Sequence, residues 1–130
     1  MPQGVPNQEE TLDHQRERTT YFHIAEIWDW SSQRDGAIYT PRAYTHEGFI
    51  HLSYEKQLAA TAGRYFLKRD DIVVLKIESA DLDGEVVDEN LLGGEELFPH
   101  LYAPLNVSAV TAVGDVLWTV DDPPRFMVNW

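Results

Sequence analysis

"THEGFIHLSY", residues 45–54, places His46, Glu47 and His51 within six positions and comes close to the H-E-x-x-H zinc helix. That motif needs its histidines four apart, so that both project from one helix face. His46 and His51 are five apart, and Gly48 interrupts any helix between them. In an extended chain the two would point to opposite faces. The stretch therefore reads as a turn ending at Gly48, followed by a strand, "FIHLS". Ile50 and Leu52 share one face of that strand, and Phe49, His51 and Ser53 the other.

Working outward, Ser53 is a suitable N-cap with Glu55 in the first turn. Leu58, Ala59, Ala62, Tyr65 and Phe66 then recur at helical spacing, which predicts a helix over 54–66. Upstream, "TYFHIA" predicts a strand over 20–24, with Phe22 and Ile24 on one face and Tyr21 and His23 on the other. "EIWDWSSQRDG" predicts a short helix that covers a core with Ile27, Trp28 and Trp30 and stops at Gly36. Residues 37–48, punctuated by Pro41 and Gly48, read as mostly loop. Downstream, "DIVVLKIES" is a buried strand and "GEVVDE" a shorter one. "NLLGGEELFPHLYAPLN" reads as a long loop of the kind that often carries function. "VSAVTAVGDVLWTV" supplies closing strands. The expectation is a single small α+β domain over 20–130, with two small, mostly antiparallel sheets, about six strands and two helices. The polar residues 1–19 are expected to be a flexible leader.

The 130 residues suit one core. Twenty-two acidic against ten basic side chains give a net charge of −12. That field repels phosphate backbones and argues against a nucleic-acid partner. There is no cysteine, hence no disulfide, thiolate nucleophile or cysteine zinc site. Neither a membrane-length apolar run nor the apolar core of a signal peptide is present, so a soluble cytoplasmic protein is expected.

If the strands over 20–24 and 49–53 align their histidine faces, His23, His51, Ser53 and aromatic rings line one cleft, suited to a ligand with a flat ring and hydroxyls. The alternative is buried histidines satisfied by backbone carbonyls. "FPHLYAP", stiffened by Pro99 and Pro104, turns His100 and Tyr102 to the same cleft, or else packs the edge of a sheet. Glu89, Glu95 or Glu96 is a candidate general base, against a plain solvated acidic loop. "DLDGEVVDEN" places its glycine too early for a calcium loop. No P-loop, dinucleotide fingerprint or serine-hydrolase elbow occurs.

"YFHIAEIW", "GAIY", "EGFIHLSYEKQLAATAGRYF", "VVLKIE", "DEN" and "LFPHLYAPL" resemble the domain-of-unknown-function 952 family over about 21–113, with Ala103 where that family has glycine. The resemblance implies an ADP-ribosyltransferase-like fold with NAD between two small sheets, and a distant similarity to RNA 2′-phosphotransferases. It would give His23 the nicotinamide ribose and set His51 and Ser53 beside it. Ile24-Ala25 replaces the Gly-Thr of those enzymes, and only Arg34 and Arg42 weakly match their phosphate-binding arginines. The expected function is that of an NAD-binding, ADP-ribosyltransferase-like enzyme. His51, Glu89 and His100 would be catalytic, and His23, Tyr39, Ser53 and Tyr102 would bind the cofactor, with no metal. The alternatives are a non-catalytic module for a small molecule or peptide, and a small-molecule enzyme using His51 and His100 as an acid/base pair.

Overall fold

A computed structural model describes residues 19–91 and 93–130. The leader expected over 1–19 therefore lies outside the described residues except for Thr19, whose carbonyl accepts the Ser79 N–H at 2.9 Å. The chain forms strands β1 (Thr20–Glu26), β2 (Ile38–Tyr39), β3 (Ile50–His51), β4 (Ile72–Glu78) and β5 (Val86–Glu89). These are followed by β6 (Phe98–Leu101), β7 (Leu105–Asn106), β8 (Val110–Trp118) and β9 (Phe126–Asn129). The α-helices are α1 (Ile27–Gln33), α2 (Tyr44–Glu47) and α3 (Glu55–Tyr65). Among the described residues the strands make three antiparallel sheets, ordered β1-β4-β8-β9, β2-β7 and β3-β6-β5. The α+β class is as expected, with three sheets in place of two and three α-helices in place of two.

The unbroken apolar run Ile72–Leu75 belongs to a strand buried on both faces. β4 lies inside the large sheet, between β1 and β8. Val73, Leu75 and Ile77 turn to a core shared with Tyr21, Trp30, Tyr39, Ile50, Leu52 and Leu101. Ile72 and Val74 turn the other way, to a second core with Phe22, Leu58 and Val116. The first core joins the large sheet to the two small ones, and the second is closed by α3 and β9.

Several expectations are corrected here. The stretch read as a long loop over 90–106 contains β6 and β7, and β6 is the central strand of its sheet despite Pro99. A proline is tolerated there because its nitrogen, which cannot donate, faces the edge where β3 has already ended, and its carbonyl still accepts from the Leu52 N–H at 2.9 Å. Residues 37–48 are not merely loop, since they hold β2 and α2. Ser53 is not the cap of α3. Tyr54 occupies that position, its N–H donating to Gln57 Oε1 at 3.1 Å, while Ser53 is bridged to Phe22. Trp28 is 70% exposed and does not cover the core, whereas Trp30 is buried.

The largest correction concerns which faces align. Directly opposed residues of an antiparallel pair share a face. The bridge Phe22↔Ser53 therefore groups Ser53 with Phe22, and by alternation His23 with Leu52. His23 consequently points into the first core, on the side of Ile50 and Leu52, and His51 does not share its face.

Candidate functional site

Sheet β3-β6-β5 carries a histidine pair set by register. Ile50 opposes Leu101 and His51 opposes His100. Because Leu52 N–H bonds the Pro99 carbonyl, the intervening His51–His100 pair makes no ladder bond between its own main chains. Such pairs bring side chains closest. The two imidazoles meet edge-on, centroids 5.0 Å apart at 82°. Phe49 stacks on His100 at 4.3 Å and 20°, and it also lies 4.8 Å from His51 and 5.4 Å from Tyr102.

On the other side of β6, Val87 opposes His100. Glu89, two residues along the same face, accepts from His100 Nδ1 at 2.9 Å and from the Tyr102 hydroxyl. These two donors, Tyr102 first, hold the Glu89 carboxyl below the usual carboxylate range, and Glu89 in turn raises Tyr102. A second carboxylate comes from α2. Gly48 ends that helix at φ 78°, a left-handed turn that glycine adopts freely. The reversal lets Glu47 reach His51 Nε2 at 3.1 and 3.2 Å.

A carboxylate only accepts, so each of these bonds fixes a tautomer. His100 donates from Nδ1 and His51 from Nε2, so in the neutral form of each ring the lone pair lies on His100 Nε2 and His51 Nδ1. Neither has a hydrogen-bond partner among the described residues. His100 is 5% exposed, yet its free nitrogen is not sealed. Among the described residues Trp30 Nε1 is the one fully buried side-chain nitrogen or oxygen without a partner. His51 and Tyr102 are exposed.

Thus His51, Glu89, His100 and Tyr102 come together, while His23, Tyr39 and Ser53 lie apart in the interior. Tyr39 has no exposed surface, and His23 spends both ring nitrogens inside, on the His51 carbonyl at 2.7 Å and the Tyr39 hydroxyl at 2.9 Å. Burial lowers His23 to about 4 and raises Tyr39. Ser53 is buried, its main chain paired with Phe22. Of the other candidates, Glu96 accepts from Gln57 Nε2 at 3.0 Å, and Arg42 donates to Asp29 at 3.0 Å. Glu47 and Phe49 are the site residues that spacing alone did not single out. The available signal was Glu47 lying four positions before His51, across a glycine able to turn the chain.

Among the described residues no three potential ligand side chains converge as a metal site, and no helix is long and apolar enough to cross a membrane. A groove of about 280 Å³ lined by Phe22, Leu58, Lys76, Phe126 and Trp130 belongs to the second core and includes no residue of the histidine cluster.

A family model described as "Protein of unknown function (DUF952)" matches residues 24–113. The crystal structure of protein CC0527 from Caulobacter crescentus is similar, with 32% identity and a TM-score of 0.70, over 82% of this chain and 93% of that one. Its solution NMR structure is 30% identical with a TM-score of 0.61, over 81% of this chain and 90% of that one. No curated protein matches.

Proposed function

Taking as premise that the chain belongs to the DUF952 family of proteins of unknown function, we propose that it is a cytoplasmic small-molecule enzyme in which His51 and His100 move protons at a ligand held against Tyr102. The observation that carries this reading is the pairing of two imidazoles 5.0 Å apart, each oriented by a carboxylate through one nitrogen and free at the other. Imidazoles with one nitrogen held by a carboxylate and the other free suit general acid/base work. Glu89 orients His100 and stabilises it when it takes a proton, and Glu47 does the same for exposed His51. Exposed Tyr102 offers a flat surface to a ring, and buried Phe49 backs the His100 ring.

A second reading, that of an ADP-ribosyltransferase-like enzyme using NAD or a related nucleotide, is favoured by Glu89. It is a carboxylate kept ionised beside aromatic rings, as a group assisting an acceptor at a ribose carbon would need to be. In this version the nucleotide lies over His51 and Tyr102, since His23 and Tyr39 are enclosed.

The test is a thermal-shift titration with NAD, ADP-ribose and nicotinamide on the wild type, His51→Ala and Glu89→Gln, followed by assay of nicotinamide release. Ligand at a hundred times its Kd stabilises by about 2.7 kcal/mol. A rise in melting temperature lost in both variants supports the site, and turnover supports the nucleotide reading. A ligand shift that survives both substitutions removes the site. Binding without turnover leaves a non-catalytic module.

A further inference from the structure

We propose that His23 is a positioning residue. Its imidazole replaces a main-chain hydrogen bond where β3 parts from β1, and so sets the direction of the His51 side chain. This deepens the reading of His51 as a working group and depends on it for its significance.

β1 and the end of the 49–53 segment are joined by a full bridge, with Phe22 N–H to Ser53 O at 2.8 Å and Ser53 N–H to Phe22 O at 2.7 Å. Main-chain groups of successive strand residues point to opposite edges. Leu52 points to β6, where its N–H bonds Pro99, so His51 and Ser53 point towards β1. Continued past the bridge, the ladder would set Ile24 against His51. The strands diverge instead, and the His23 ring takes the His51 carbonyl with Nδ1 at 2.7 Å.

A carbonyl only accepts, so Nδ1 carries the proton and the neutral ring has its lone pair on Nε2. The Tyr39 hydroxyl, 2.9 Å away, must therefore donate to it. The relay runs from Tyr39 through His23 to the His51 carbonyl and joins β2, β1 and β3. It is enclosed, with His23 5% and Tyr39 0% exposed, and Trp30 packs edge-on against the Tyr39 ring at 5.7 Å. The bond to Tyr39 is closed to water, and the bond to the His51 carbonyl is part-buried. β3 has two residues and sits at a sheet edge, so few other bonds fix its course. Without the His23 anchor it is free to follow β1, which would swing the His51 ring away from His100.

The experiment is nitrogen-15 and proton NMR of the imidazoles in the full chain without ligand. The expected wild-type result is His23 protonated on Nδ1 and bare on Nε2, with a cross-peak between the His51 and His100 rings. The opposite tautomer would overturn the proposal. His23→Asn, whose amide N–H falls where Nδ1 was, is expected to keep the His51 and His100 ring shifts and their cross-peak. His23→Leu, with no donor, is expected to move both shifts, which Phe49 makes sensitive to displacement, and to weaken the cross-peak. A folded His23→Leu protein with both rings unmoved overturns the assignment. Should that variant fail to fold, loss of the cross-peak in folded His23→Asn does so. Because no ligand is used, failure here is distinct from failure of the proposed site, which the ligand titration on His51→Ala and Glu89→Gln tests.

Discussion

At the scale of single residues, the fold and its site depend on positions where one atom decides the local geometry. Gly48 is one, since its left-handed φ brings Glu47 back to His51. Gly114 is another, on the far side of the large sheet. A Cβ there would lie 2.3 Å from Val128 Cγ1 and 2.8 Å from the Trp130 ring. Overpacking of this kind costs about 1–3 kcal/mol. Gly114→Ala is therefore expected to lower the urea midpoint while leaving the His51–His100 ring contact intact, and an unchanged midpoint would show that β9 yields freely. Alternation along "FIHLS" was enough to separate Ile50 and Leu52 from Phe49 and His51. It could not reveal that His23 belongs with Leu52, because that grouping depends on a bridge between residues 31 apart in sequence, Phe22 and Ser53.

At the scale of elements, the legible pieces were those with a long periodic signal. α3 and β4 announce themselves, the first by apolar spacing and the second by an unbroken apolar run. The two-residue strands β2 and β7 have no period to read, and β6 is masked by Pro99. They exist because partners supply their bonds. Gln57 shows how helix and strand are tied. It is 4% exposed, accepts the Tyr54 N–H at 3.1 Å, and donates to the Leu97 carbonyl at 2.8 Å, just before β6. Gln57→Ala strands both main-chain groups, at a cost of about 1–3 kcal/mol. The expected result is a lower urea midpoint and faster amide exchange at Tyr54. Unchanged exchange there would mean that the cap is dispensable.

At the scale of the whole molecule, the enclosed His23 makes stability depend on pH. Its pKa falls from 6.5 to about 4 on folding, chiefly through burial, which outweighs the bond to the His51 carbonyl and the charge of Asp29. Between those values the unfolded chain binds the extra proton, so stability is full above about 6.5 and is lost as the pH falls towards 4. At 1.36 kcal/mol per unit this amounts to about 3 kcal/mol. Glu89 and Asp71, both lowered, act in the same sense at more acid pH. Urea midpoints measured from pH 7 to 4.5 are expected to fall steeply in the wild type and more gently in His23→Asn. Equal slopes would show that His23 titrates freely in the fold. Composition and local periodicity were enough for the α+β class, the apolar faces of α3, β3 and β4 and the acidic character, and the motifs around His51 and His100 for the family resemblance. Only the tertiary structure decided that His51, His100, Glu89 and Tyr102 meet while His23 and Tyr39 are shut away. The reason is physical: side-chain neighbours across strands are set by register, and register is settled by the joint packing of two cores rather than by any one strand.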